Sequence, residues 1–412
     1  MSALRTAGAA VFACAALAAG ILFATTRPAD TSVAAEPAAL ASESPASLVV
    51  HEWGTFTSFS GSDGEPVGFS PDNTDLPDFV YYQENENSKS NRLHHDGTVS
   101  METPVIYFYS DRAMRASVRV DFPRGWITEW YPFAASPPAR SVRESRTGGQ
   151  SIRWDVRLLP GETVRFTRSR DESRYYQARE TDATPLQVET DASAAQRNPG
   201  LRGGAVVQRE KFLFYRGVGT FPPPVALRPL GGGQVRVTNT SGGQLGGLVL
   251  VSVRDGKVGF KTLATLEVGA EAVASLVEAE NGSAELAEVM VKELTAAGLY
   301  EKEARAMVKT WNSAWFGENG TRLLYLVPRA RTDELLPLTV DPKPTEVVRV
   351  LVGRHDFLTP EQEAEAERQV GRVRAARAEL DAAEKELSKI GRFSDQARRL
   401  AEKRLDTRAA QK

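Results

Sequence analysis

The four histidines of this 412-residue chain are the side chains best suited to bind a metal ion or to move a proton. Three of them directly precede an acidic residue, and the remaining one, His94, adjoins one of these pairs: His51-Glu52, His95-Asp96 and His355-Asp356. Imidazole and carboxylate groups are ligands that zinc and other transition metals accept. Neighbouring residues of a strand point to opposite faces, so each pair supplies one ligand rather than two.

A metal site therefore requires the fold to bring distant residues together. The candidate ligands are His51, His94, His95, Asp96 and Glu102. No His-Glu-x-x-His motif or similar spacing places two ligands on one face of a helix. If these residues converge, they predict a metal-dependent hydrolase centred on His51 and the His94–Asp96 segment. The alternative is that the histidines are structural.

An acidic region, residues 63–102, is a second candidate for metal binding. It contains nine acids against only Lys89 and Arg92: Asp63, Glu65, Asp72, Asp75, Asp78, Glu84, Glu86, Asp96 and Glu102. Calcium prefers such oxygen ligands on irregular backbone, although no EF-hand spacing occurs here. Zinc and calcium are the two cofactors that the composition leaves open, and a chain that binds neither is the first expectation.

Motifs for nucleophilic catalysis and for phosphate binding are missing from the sequence, including Gly-x-Ser-x-Gly and the Gly-Lys-Ser/Thr loop. Ser58 or Ser60 could pair with His51, but hydroxyl-rich strands are common without catalysis. A pair of glycosidase carboxylates stays open, because a separation in space is not visible in a sequence.

A basic stretch, residues 140–179, holds ten arginines against five acids. Arginine forms bidentate contacts with anions, so this stretch could bind an anionic polymer or a lipid head group. The alternative is a pair of strands with a solvated arginine face. Three tryptophans would suit a sugar-binding platform if exposed: Trp53, Trp126 and Trp130.

The N-terminal residues predict the compartment in which this chemistry would take place. Residues 7–24 contain no charged residue and nine alanines, and Arg5 precedes them. A helix of this length spans about 27 Å, slightly less than a hydrocarbon core of roughly 30 Å. Residues 1–24 therefore indicate a signal peptide or a signal anchor, with cleavage after Ala24 or Ala35. Residues 25–47 are rich in Ala, Ser, Thr, Pro and acids, which predicts a disordered linker.

The expected location is the periplasm or the extracellular space, with an inner-membrane anchor if the signal is not cleaved. The single cysteine, Cys14, lies within the apolar run, so a processed chain would have no thiol chemistry. Lysine and arginine number 51 against 53 acidic residues, which argues against a nucleic-acid partner. An envelope ligand, a polymer or a protein is the expected partner.

Short runs of Val, Phe, Tyr, Trp and Thr between turn residues predict strands from residue 48 to about residue 276. The clearest are residues 105–109, 117–122, 126–131, 152–158 and 211–215. Asp255-Gly256 predicts a type I′ hairpin. These strands indicate a mainly β fold of one or two β-sandwich domains, at residues 48–200 and 205–278.

Residues 283–358 combine helical and strand patterns and predict a smaller α+β part. Ser283 is a candidate N-cap for residues 284–297, and a second helix is expected over residues 300–311. Strands are expected over residues 322–327 and 346–352.

Residues 359–408 predict a C-terminal helical hairpin. Thr359-Pro360-Glu361-Gln362 combines an N-cap, a first-turn proline and a capping-box partner. Apolar residues then recur with heptad spacing: Val373, Ala376, Leu380, Ala383, Leu387 and Ile390. The hairpin either packs on the body or serves self-association or partner docking.

Three strings resemble a family of uncharacterised exported bacterial proteins. They are His51-Glu52-Trp53-Gly54-Thr55-Phe56-Thr57-Ser58, Met101-Glu102-Thr103-Pro104-Val105, and Glu210-Lys211-Phe212-Leu213-Phe214-Tyr215-Arg216-Gly217. The resemblance spans residues 51 to about 360. It implies an exported bacterial protein and assigns no activity to any residue.

Two functions follow as hypotheses. The first is an exported, envelope-located binding or interaction protein, in which the histidines lie apart. The second is the metal-dependent hydrolase, in which His51 and residues 94–96 meet at one point.

Overall fold

A computed structural model describes residues 47–68, 75–82, 99–138, 149–170, 172–190, 207–278, 280, 282–389, 391–392 and 394–410. All of them belong to one compact unit, Ala46–Lys412. The predicted signal, the linker up to residue 46, and the segment that contains His94, His95 and Asp96 lie outside the described residues. Within the described part, no helix is long and apolar enough to cross a membrane.

The largest sheet has nine strands in the order β13-β12-β15-β17-β1-β3-β9-β5-β2. Its strands, in chain order, are β1 (Leu48–Ser60), β2 (Tyr81–Tyr82), β3 (Val99–Ser110), β5 (Gly125–Tyr131), β9 (Phe212–Gly219), β12 (Gly246–Arg254), β13 (Lys257–Thr262), β15 (Gly320–Leu326) and β17 (Glu346–Phe357). It combines strands from both predicted β domains, residues 48–200 and 205–278, with two strands from the predicted α+β part.

The centre of this sheet is formed by the first and the last strand of the body. β1 and β17 run parallel, with Cα partners from Val49 and Glu346 to Ser60 and Phe357. The other pairings of the sheet are antiparallel. Most residues of both central strands are buried, including consecutive residues that point to opposite faces, as expected of strands covered on both faces.

A five-stranded sheet covers one face of the large sheet, in the order β16-β4-β6-β7-β8. Its strands are β4 (Met114–Phe122), β6 (Gln150–Leu158), β7 (Leu186–Glu189), β8 (Val207–Glu210) and β16 (Leu338–Asp341). Burial alternates along β4 and β6, so each strand has one face in the core. Trp154 of β6 reaches the ring of Tyr215 of β9, with centroids 6.3 Å apart. The two sheets therefore form a β-sandwich.

A three-stranded antiparallel sheet, β10-β11-β14, is formed by β10 (Val225–Gly231), β11 (Gln234–Asn239) and β14 (Glu271–Ser275). The predicted hairpin between β12 and β13 is confirmed. Its turn residues Asp255 and Gly256 have φ values of 52° and 76°, which a type I′ turn requires.

Two helices lie on the face of the large sheet opposite the five-stranded sheet. Adjacent residues of β1 show this, because His51 contacts Glu303 of a helix while Glu52 contacts Tyr215 inside the sandwich. These are α1 (Ser283–Ala296) and α2 (Glu301–Asn312), followed by one π-helical turn (Ser313–Gly317). α1 begins one residue before the predicted start. Gly282 rather than Ser283 holds the N-cap position and makes no side-chain cap. A short helix, α3 (Arg329–Leu335), precedes β16.

Arg322 of β15 ties the end of α2 to the sheet. Its guanidinium is buried, and Nη1 donates to the carbonyl oxygens of Ala314 at 2.6 Å and Trp315 at 3.0 Å. Nη2 donates to the carbonyl oxygen of Glu318 at 2.6 Å. The last carbonyls of a helix have no partner within the helix, so one arginine satisfies three groups that burial would otherwise penalise.

The chain ends in α4 (Pro360–Ser388) and α5 (Ser394–Ala409), which together are called the arm below. The predicted capping box is present, since Thr359 Oγ1 accepts from the Gln362 amide and Gln362 Oε1 accepts from the Thr359 amide. Neither helix contains a buried residue. The mainly β fold with an α+β portion and a C-terminal helical part is confirmed.

The close packing of β15 on β17 generates a stability prediction. A Cβ built on Gly353 would lie 1.9 Å from Cζ of the buried Tyr325 ring. Gly353→Ala is therefore expected to lower the free energy of unfolding by about 2–3 kcal/mol, measured by urea denaturation. Gly371→Ala on α4 is the matched control, because no atom lies within 4 Å of its Cβ position. Equal midpoints for the two variants would contradict this packing.

Candidate functional site

His51 is one of the two predicted metal ligands that the structure describes, and it lies in a buried polar network with Glu303. Its Nδ1 lies 2.7 Å from Oε2 of Glu303. Glu303 belongs to α2, which packs on the face of the sheet to which His51 points. The Tyr109 hydroxyl donates to Glu303 Oε1 at 2.8 Å, and the Tyr300 amide donates to Oε2 at 2.9 Å. His51 is 1% exposed and Glu303 is fully buried. Glu303 thus has hydrogen-bond partners for both oxygens without solvent.

Two aromatic rings close the space around His51. The Tyr300 ring lies 4.5 Å from the imidazole centroid, and the Tyr109 ring meets it edge-on at 5.3 Å. Burial, and after it the charge of Glu303, raise the pKa of the Tyr109 hydroxyl well above its usual value. Tyr109 therefore stays a hydrogen-bond donor to Glu303. The Nε2 of His51 has no hydrogen-bond partner among the described residues.

The other predicted ligands are not brought to this position within the described chain. Glu102 lies beside Thr55 in the β1–β3 register, four residues from His51, which is about 13 Å along a strand. His94, His95 and Asp96 lie outside the described residues, so their convergence on His51 stays a prediction. No group of three metal-ligating side chains occurs in the part of the chain that the structure describes.

Glu102 instead belongs to a second polar cluster, around Arg216 of β9. Arg216 is fully buried, and its Nη2 donates to both carboxylate oxygens of Asp75, at 3.0 and 3.2 Å. Its Nε lies 3.7 Å from Glu102 Oε2. Ser100 donates to Glu102, and Arg174 forms an ion pair with Asp75. Two arginines thus neutralise two acids of the predicted calcium region.

Glu52 faces the opposite side of the sheet and forms a third network. Its Oε2 accepts from Arg349 Nε at 2.5 Å, and its Oε1 accepts from the Tyr215 hydroxyl at 2.6 Å. Arg349 also donates from Nη1 to Asp333 of α3 at 2.8 Å. Glu52 and the Arg349 side chain are no more than 1% exposed. Removing one member of such a pair leaves a buried charge, so the pair fixes the β1–β17 register.

His355 of β17 bridges two serines of β1. Ser58 Oγ lies 2.8 Å from its Nδ1, and Ser60 Oγ lies 2.9 Å from its Nε2. Burial lowers the pKa of His355 to about 4, against an ordinary value of 6.5. A neutral imidazole donates from one nitrogen and accepts at the other, which two hydroxyls can match. From the sequence, Ser58 or Ser60 was a candidate partner of His51. In the structure both serines hydrogen-bond to His355 instead.

Two arginines of the basic stretch and two of the three predicted tryptophans lie inside the body. Arg174 lies 4.5 Å above the Trp311 ring in addition to its pair with Asp75. Arg179 pairs with the buried Glu210 at 2.6 Å. Trp53 and Trp130 are buried, so they offer no surface platform, whereas Trp126 is half-buried. The other described arginines of the stretch are exposed, namely Arg153, Arg157, Arg165, Arg168 and Arg170, so an anion-binding surface there stays a prediction.

A cleft of about 960 Å³ opens at the root of the arm. It lies between the β12–β13 hairpin, the segment after β14 and the first turns of α4, and its charged lining residues have both signs: Arg254, Asp255, Lys257, Glu278, Glu361 and Glu365. It contains no histidine, and no buried acid aims into it from the residues that line it. The cleft is therefore a surface recess at a junction rather than a catalytic pocket.

The partners of these networks are separated widely in sequence. His51 and Glu303 are 252 residues apart, and Glu52 and Arg349 are 297 apart. No local spacing connects such residues. One signal was present, because the predicted helix over residues 300–311 carries Glu303 among apolar residues, where an acid needs a buried partner.

No known family and no curated protein sequence matches the chain. Among solved structures, it is similar to the Fcho1 mu homology domain from Danio rerio with bound Eps15 peptide, at 9% identity and a TM-score of 0.27. That match covers 76% of this chain and 97% of the other. The yeast delta-COP-I mu-homology domain complexed with a Dsl1 WxWxV peptide matches at 7% identity and a TM-score of 0.30, covering 76% and 98%. Likeness at these TM-scores supports no argument about function.

The low pKa of His355 makes the stability of the body pH-dependent. The folded state favours the neutral imidazole, so this contribution is fully present above pH 6.5 and is lost as the pH falls toward 4. The expected loss between pH 7 and pH 4 is roughly 3 kcal/mol. Urea denaturation at several pH values measures it as the difference between wild type and His355→Gln, in which all other titrating groups cancel. If the free energy of unfolding changed with pH equally in the two proteins, His355 would not be the source of the pH dependence.

Proposed function

We propose that this protein is an exported, non-catalytic interaction protein of the bacterial envelope, whose β-rich body presents the arm to a partner. The observation that carries the proposal is that neither helix of the arm contains a buried residue. A helix of 29 residues without a buried side chain contributes little to the stability of its own body. Its apolar residues are then available to another molecule.

The hydrogen bonding of three buried polar side chains supports a structural rather than a catalytic role for the body. Glu303, Glu52 and His355 each have hydrogen-bond partners for both of their polar atoms. A catalytic acid or base must instead reach a substrate within hydrogen-bond distance. These groups are closed off by strands, helices or aromatic rings, so they stabilise the fold.

The envelope location rests on the sequence. The alanine-rich run over residues 7–24 and the polar linker after it are typical of a signal or a signal anchor followed by a tether. The resemblance of the His51–Ser58 string to exported bacterial proteins supports the same compartment. The partner is therefore an envelope protein, polymer or ligand, with membrane attachment through the N-terminal segment if the signal stays uncleaved.

The metal-dependent hydrolase is the second candidate, and one observation favours it. Histidine ligands commonly bond one ring nitrogen to a carboxylate and bind metal through the other. His51 has this arrangement, with Nδ1 on Glu303 and Nε2 without a hydrogen-bond partner among the described residues. His94, His95 and Asp96 would have to complete the site.

One preparation tests both candidates. The whole chain is expressed with its first 47 residues in a Gram-negative host grown with added zinc, the cells are fractionated, and the purified protein is analysed for metal. We expect the protein in the envelope fraction with far less than one zinc ion per chain. His51→Gln and His355→Gln are analysed in parallel, because both remove a buried imidazole.

Two results would contradict the proposal. Recovery of the chain from the cytosol would contradict the envelope location. Stoichiometric zinc that is lost in His51→Gln but kept in His355→Gln would replace the interaction protein with the hydrolase.

A further inference from the structure

The apolar seam of α4 is exposed along most of its length. It repeats with heptad spacing through Val373, Ala376, Leu380, Ala383 and Leu387. Val373 is 66% exposed and Leu380 is 59% exposed. Only the end of the seam near the turn is partly covered, where Leu387 is half-buried and Arg398 of α5 pairs with Glu384 at 3.4 Å. Leu400 and Leu405 of α5 are themselves exposed.

The charges of α4 are separated into two blocks on either side of Ala378. Residues 366–377 contain four arginines and one glutamate, a net charge of +3. Residues 379–389 contain four acids and two lysines, a net charge of −2. Two copies aligned in parallel would place like blocks together. Two antiparallel copies would place the basic block of each against the acidic block of the other, which is favourable.

We propose that α4 pairs with α4 of a second copy of this chain, antiparallel about a two-fold axis at Ala378. This inference rests on the proposed function, because it names the partner of the arm. This one axis both packs the apolar seams of the two copies together and places their basic and acidic blocks side by side. Val373 then packs beside Ala383 of the second copy, and Ala376 packs beside Leu380, so large side chains meet small ones across the interface.

The flanking charges follow the same register. Arg372 and Glu386 each precede an apolar seam residue by one position, so both border the interface. With the axis at Ala378, Arg372 of one copy and Glu386 of the other lie on the same edge of the interface, offset by two residues or about 3 Å along the helices, which their long side chains span. Two-fold symmetry forms this pair twice.

The bodies leave room for this pairing. The axis lies 18 residues beyond Pro360, which is about 27 Å of helix at 1.5 Å per residue. The base of α4 is fixed to the body, since the Ser62 amide donates to Glu363 Oε1 at 2.7 Å and the Gly232 amide donates to Glu361 Oε1 at 3.2 Å. The two bodies therefore stand at opposite ends of the paired helices.

A charge-swap series tests the register by sedimentation equilibrium of the chain purified from the envelope fraction. We expect the wild type to show a concentration-dependent dimer. Arg372→Glu turns both attractive pairs into repulsive ones and is expected to weaken association about tenfold. Adding Glu386→Arg to that variant restores opposite charges and is expected to restore the wild-type constant. Arg404→Glu, the same charge change on α5, is the control and leaves association unchanged.

Each of the other outcomes contradicts one part of the proposed dimer: the self-pairing, the antiparallel direction or the register. A wild type that stays monomeric at all concentrations refutes self-pairing but leaves an interaction with a different envelope partner standing. Stronger association in Arg372→Glu refutes the antiparallel direction, because only parallel helices bring arginine blocks together. A double variant as weak as Arg372→Glu refutes the register. Circular dichroism of each variant confirms that the helices are retained.

Discussion

The parallel pairing of β1 with β17 is the contact on which the rest of the structure depends. It joins residues about 300 positions apart in the centre of the large sheet, with twelve residues of each strand in register from Val49 and Glu346 onward. The buried pair of Glu52 and Arg349 and the bridge from His355 to two serines both cross this pairing. A slip by one residue would expose apolar side chains and bury unpaired charges, so the register is strongly defined.

That pairing also explains the division between a closed body and an open arm. β17 is a central strand of the sheet and ends at Phe357, and α4 begins three residues later at Pro360. The chain therefore passes directly from the centre of the body into the arm. The layers on both faces of the sheet enclose His51 and Glu52, two of the titratable groups that sequence alone suggests for chemistry. His51 is held by α2, and Glu52 is held inside the sandwich. The seam of the arm, in contrast, is exposed to other molecules along most of its length.

Local patterns predicted the local structure well. The Asp255-Gly256 hairpin, the capping box at Thr359 and the arm helices follow from turn chemistry and periodicity, which act over a few residues. The partners of His51, Glu52 and Ser58 could not be predicted, because each comes from a strand or helix hundreds of residues away. Alternation did predict that His51 and Glu52 point to opposite faces, which is why neither network contains both residues.

The central claim is that the body is a fixed scaffold and α4 is the element that associates. Hydrogen exchange of the purified chain, followed by mass spectrometry at low and high protein concentration, tests it most directly. The account predicts that β1 and β17 exchange slowest at both concentrations, while protection of residues 366–389 rises with concentration. Protection of those residues that is strong and independent of concentration would contradict it, because the arm would then be docked within its own chain.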